Sequence, residues 1–235
     1  MKKAIVALCM TLQALTLNAQ ELTVTYQATY NTASPQLFAE AGLPEAMRSS
    51  LAAAYKDVVM TFRLVVKGDE SEYRMVPSKE KQEITFMGKT IDVSAAAQAQ
   101  AQNYTYKNHA EGIALDKTQV FGKNFIVSDS LNAVPFATTS GEKKDILGFE
   151  CQKAISPDGK TTVWYTPQIP VKDEPIACGL NGLILQFDNG QQLFTAVEIA
   201  DSASASITRP TGEKTVTRSE FEEYVKKRVE MMKRN

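Results

Sequence analysis

The chain has 235 residues, with 26 basic and 27 acidic side chains, a net charge of −1 and 43% hydrophobic residues. So balanced a charge excludes nucleic acid or an anionic membrane surface as the main partner. The length suits one domain with a substantial core.

Lys2 and Lys3 precede an apolar run from Ala4 to Leu17, and Leu17-Asn18-Ala19 sets a small residue before Gln20. This is the pattern of a secretory signal peptide, residues 1–19, cleaved after Ala19. The run is shorter than the ~20 residues of a membrane span, and no second run of that length follows. The expectation is an exported mature chain with no transmembrane segment, in the periplasm, on the outer surface or in the medium. Cys9 leaves with the signal, and Cys151 and Cys178 remain. In an oxidising compartment these two either form a disulfide or stay as buried thiols, since Cys packs as a small hydrophobe.

From Leu22 to Tyr30 apolar and polar residues alternate, which predicts a half-buried strand. Pro44-Glu45 opens a predicted helix through Ala54. The β-branched run Val58 to Lys67, the turn Gly68-Asp69 and Glu72 to Val76 read as a hairpin. Ile84 to Met87 is a shorter strand. Val93 to Gln102, rich in Ala and Gln, is either helix or surface excursion. Strands follow at Asn103 to Lys107, Ile113 to Val120 and Phe125 to Ser128.

The second half reads as hairpins. Phe149 to Ile155 and Thr161 to Thr166 flank Ser156-Pro157-Asp158-Gly159, and Leu183 to Phe187 and Gln191 to Ile199 flank Asp188-Asn189-Gly190. After a polar linker from Ser202, Thr217-x-x-Glu220 has the capping-box pattern. The helix that follows carries Phe221, Tyr224, Val225, Val229 and Met232 as an apolar stripe.

Chemistry-bearing residues are sparse. His109, the sole histidine, falls in a predicted turn, and one imidazole cannot build a multi-histidine metal site. The carboxylates fall singly or in exposed runs, and no base neighbours Cys151 in the sequence. The reading predicts no catalytic set, no cofactor and no metal. The aromatic residues on predicted strands (Tyr26, Tyr30, Phe62, Tyr73, Tyr104, Tyr106, Trp164, Tyr165) either line a pocket on a curved sheet or are ordinary core.

Trp164-Tyr165-Thr166-Pro167-Gln168-Ile169-Pro170, followed by Gly179-Leu180-Asn181-Gly182-Leu183-Ile184-Leu185, resembles the GLPGLI family, as does the upstream segment Ile146 to Ala154. Asn181 stands where that family has proline. The resemblance implies an exported protein of Bacteroidetes-type bacteria, a family without assigned function. On it, Trp164, Tyr165, Gly179, Leu180, Gly182, Leu183 and Ile184 are the motif residues. They read as a fold-determining turn first and as the rim of a ligand site second, because glycine permits a tight backbone path.

The expected fold is mainly β, an α+β arrangement with a curved antiparallel sheet resembling the half-barrel of periplasmic lipoprotein carriers. A few helices pack on it, including a C-terminal one. Residues 20–201 form the β domain, and 202–235 a linker and helix packed on the same domain. The expected function is that of a non-enzymatic envelope protein holding an apolar small molecule, a lipid or a peptide. The alternative is a structural or interaction component of the cell surface, with an enzyme third.

Overall fold

A computed structural model of the chain describes residues 21–39, 42–171, 179–201 and 204–233. The expected signal peptide, Met1 to Ala19, and Cys178 lie outside these residues.

The alternating segment at the start forms β1 (Glu21–Tyr30), with Leu22, Val24, Tyr26 and Ala28 all buried and the intervening residues more open. Its neighbours are β2 (Val59–Lys67) and β13 (Gln192–Asp201), both antiparallel to it. Beyond β2 the sheet continues through β3 (Glu70–Val76), β6 (Tyr104–Asn108), β7 (Ile113–Val120) and β8 (Lys123–Ser130). Beyond β13 it continues through β12 (Leu183–Asp188), β11 (Thr162–Thr166), β10 (Phe149–Ile155) and β9 (Ala137–Ile146). Short β14 (Lys214–Thr217) adds to β8 in parallel. Among the described residues, these twelve strands form one curved sheet that does not close, with β14 and β9 at its two edges. A separate hairpin is made by β4 (Glu83–Phe86) and β5 (Lys89–Asp92).

Among the described residues, three helices accompany the sheet: α1 (Glu45–Ala54), α2 (Ser94–Gln100) and α3 (Arg218–Lys233). The Ala- and Gln-rich stretch is thus a short helix. The predicted cap of α3 forms: Glu220 accepts from the Thr217 backbone N–H at 2.8 Å and its hydroxyl at 3.0 Å, and the Glu220 N–H donates back to Thr217 Oγ1. Among the described residues, no helix is long and apolar enough to cross a membrane.

The C-terminal segment grips the sheet edge from both sides. Alternation along β8 sends Phe125 and Val127 to one face, where they pack with Val216, Phe221 and Tyr224. Ile126 points to the other face, where Tyr106 and Leu115 are covered by Ile207. On that second face Glu72, only 1% exposed, accepts from Arg74 Nε at 2.6 Å and from the Thr208 backbone N–H at 3.1 Å. Arg209 forks onto both Glu111 oxygens and stands over the ring of Tyr106. The strap near Ile207 crosses one face, β14 extends the edge, and α3 lies on the opposite face.

Three two-residue hairpin turns are built against preference. Met87-Gly88, Phe121-Gly122 and Leu147-Gly148 all have positive φ at both positions, the type I′ geometry for which Asn-Gly is favoured. Met87 is 70% exposed and Leu147 44% exposed, so packing does not offset the left-handed backbone. Replacing Met87 or Leu147 by Asn is expected to raise stability by about 0.5–1 kcal/mol each, read as an upward shift in Tm with the fold unchanged by circular dichroism.

Candidate functional site

The register of four strands builds a groove. Leu64 on β2 pairs with Tyr73 on β3, Tyr73 with Thr105 on β6, and Thr105 with Asp116 on β7. Two pairs along, Phe62 lies opposite Met75. These side chains share a face; Arg74, Tyr104 and Lys117 alternate to the other but also border the groove. The N-terminus of α3 closes the far wall with Arg218 and Phe221, and Gln100, Asn103 and Thr118 complete the rim. The groove is open to solvent and has a volume of about 330 Å³. Through Met75 and Gln100 it is contiguous with a more apolar hollow of about 210 Å³, lined by Tyr30, Tyr55, Met60, Val93 and Ala97.

The groove joins a stacked aromatic pair to a neutralised polar cluster. Phe62 and Tyr73 lie nearly parallel, ring centroids 5.5 Å apart. The Thr105 hydroxyl donates to Asp116 Oδ1 at 2.6 Å, and Arg218 holds Asp116 Oδ2 and, at 3.2 Å, Asp129. Partial burial opposes the Arg218 charge, but the two carboxylates outweigh it and leave its pKa above the ordinary value. Burial pushes the Tyr73 phenol far above its usual range, so it stays a neutral hydroxyl. That hydroxyl is buried and, among the described residues, has no hydrogen-bond partner. An orphan of this kind costs about 1–3 kcal/mol.

The residues singled out in the sequence lie elsewhere. Trp164 is partly buried, with Lys144 Nζ 5.7 Å from its ring centre. Tyr165 is buried and donates to Gln152 Oε1 at 3.1 Å. Leu183 and Ile184 are fully buried, and Leu180 packs against the cluster around Phe187. Gly179 and Gly182 take positive φ under close backbone contacts. None of these lines the groove. The strand aromatics divide likewise: Phe62 and Tyr73 face the groove, whereas Tyr106 is core on the other face. Cys151 is a free thiol, fully buried, whose Sγ donates to the Phe149 carbonyl at 3.5 Å. Burial, with help from Asp145, pushes it up to about 11. His109 follows β6 at the end away from the groove. Thr105, Asp116 and Arg218 were missed because only cross-strand register and a helix 102 residues away bring them together.

The model of the family described as "N-glycanase peptide, N-terminal domain" matches residues 71–223, well over half of the chain. The chain belongs to that family. Two crystal structures of PNGF-II, in space groups P21 and C2, share its fold: TM-scores 0.54 and 0.53, identities 15% and 16%, with 87% of this chain covered in each. The chain spans about a third of the length of those proteins, 33% and 32%. No curated protein matches it.

This assignment corrects the GLPGLI resemblance, whose motif lies inside the matched span. The physical reason is local. Gly179, Gly182 and the buried Leu183-Ile184-Leu185 answer to one tight turn and one core strand, demands that any similar turn imposes. It also corrects the expected non-enzymatic envelope protein, whether holding an apolar ligand or serving as a surface component. The matched family is part of an N-glycanase.

Proposed function

We propose that the chain is a substrate-engaging module of N-glycanase action, receiving N-glycosylated protein on the face formed by β3, β6, β7 and α3. The observation that carries this reading is the family match over residues 71–223, which spans most of the groove wall. The groove supports it: aromatic rings beside neutral and largely charge-compensated hydrogen-bonding groups suit a polar, uncharged ligand with one apolar side. Export, expected from residues 1–19, fits the same reading, because N-glycosylated asparagines occur on surfaces of secreted proteins. In this proposal the groove binds and orients the glycosylated substrate of an N-glycanase.

The test is a titration of isotopically labelled chain with an N-glycosylated peptide and with the same peptide lacking its glycan. The glycosylated form is expected to bind more tightly, with amide shifts on β3, β6 and β7. Equal responses to the two peptides, or none, would overturn the reading.

A further inference from the structure

We infer that the groove between β2, β3, β6, β7 and α3 is a subsite for one neutral sugar ring or a disaccharide, an inference that rests on the proposed function and names its ligand. Four observations carry it. Tyr73 lines the groove and its buried hydroxyl lacks a partner among the described residues, so a ligand hydroxyl would satisfy a group that the fold leaves open. Phe62, stacked on Tyr73, supplies an aromatic surface for the C–H side of a pyranose.

Asp116 uses one bond on each oxygen, from Thr105 and from Arg218, and a carboxylate has about four lone-pair sites. It can accept from sugar hydroxyls, and Thr118 and Gln100 offer further uncharged partners on the rim. Lastly, the charges decide against ionic ligands. Arg218 is already committed to Asp116 and Asp129, and Arg74 to Glu72, which leaves Lys117, a residue that alternates to the other face, as the remaining cation on the lining, so a phosphate or carboxylate would meet carboxylates with little compensating charge. A volume of about 330 Å³ sits at the small end of ligand pockets and is too small for a folded partner.

The experiment titrates labelled chain with methyl N-acetylglucosaminide and methyl mannoside as neutral probes and with glucuronate as the charged one. The neutral glycosides are expected to shift the amides of Phe62, Tyr73, Thr105 and Asp116 at millimolar concentration, and glucuronate to shift them far less. Tyr73→Phe keeps the aromatic stack and removes the orphan hydroxyl. It is expected to melt no lower than the parent, yet to bind the neutral glycosides about fivefold more weakly. Thr118→Val, on the rim, provides a second variant with the same expected direction. Failure of all glycosides to shift groove amides, or binding untouched by both variants, would overturn the inference. If an N-glycopeptide still binds through its glycan on another surface, the proposed function stands and this subsite falls. If sugars occupy the groove but the glycopeptide is not preferred over its bare peptide, the subsite stands and the proposed function falls.

Discussion

Gly182→Ala is expected to lose about 3 kcal/mol or more of stability, enough to remove much of the soluble folded protein. A Cβ at this position would lie 2.2 Å from the Thr166 carbonyl oxygen and 2.6 Å from its carbon, both backbone atoms. The φ of +148° adds the ordinary penalty for an L side chain. Neither contact can be relieved by a rotamer change. Thr166 is held opposite Leu183 in the β11–β12 ladder, and the Leu183 N–H donates to the Ile169 carbonyl at 3.0 Å. Gly159→Ala is the control: its φ is also positive, at +71°, but nothing lies within 4 Å of the added carbon. That variant is expected to cost only about 1 kcal/mol. Urea denaturation of both gives the comparison, and similar midpoints would show that the contact with Thr166 is unimportant.

Glu72→Ala is expected to cost about 2–3 kcal/mol and to loosen the strap before it loosens the sheet. The Glu72 carboxylate is buried between Val65 and Tyr106 in the strand pairing and joins Arg74 to the Thr208 N–H. Removing it leaves a backbone donor unsatisfied and a guanidinium supported mainly by stacking on the Tyr104 ring, 4.5 Å away. Arg74 retains partial exposure, which keeps the cost below that of a fully buried pair. Glu72→Gln preserves one acceptor and should fall between the two. Hydrogen exchange is the measurement: the Thr208 amide should lose protection in Glu72→Ala while amides of β1 and β2 keep theirs. Unchanged protection at Thr208 would sink this account of the strap.

Much of the fold was legible wherever one face of an element is buried. The five-fold alternation of Leu22 to Tyr30 became β1, the Thr217-x-x-Glu220 box became the start of α3, and both strong hairpin turns formed. What escaped has no local signature. β9 carries Glu142, Lys143 and Lys144 at a sheet edge, where charge blunts unwanted pairing and hides the period of two. β14 has four residues and owes its conformation to parallel pairing with β8, some 89 residues earlier. The site was half visible: Phe62 and Tyr73 stood out as strand aromatics, but their partners Thr105, Asp116 and Arg218 gain meaning only from register. The family was misread because a glycine turn and a buried strand make a conspicuous motif for structural reasons alone.

The place of β1 in the sheet bears on how the chain reaches its native state. β1 is the hinge of the strand order: β2, β3, β6, β7 and β8 extend from one side of it, and β9 to β13 return to the other, so that Leu22 ends opposite Asp201. The side that runs from β2 to β8 can assemble largely from hairpins between neighbouring strands. The central seam cannot form until the β13 residues exist, and closing so long a loop is slow. Until then the far edge of β1 offers unpaired N–H and C=O groups beside apolar residues, an invitation to association with other chains. Biogenesis of this protein therefore depends on protecting its first strand until one of its last arrives.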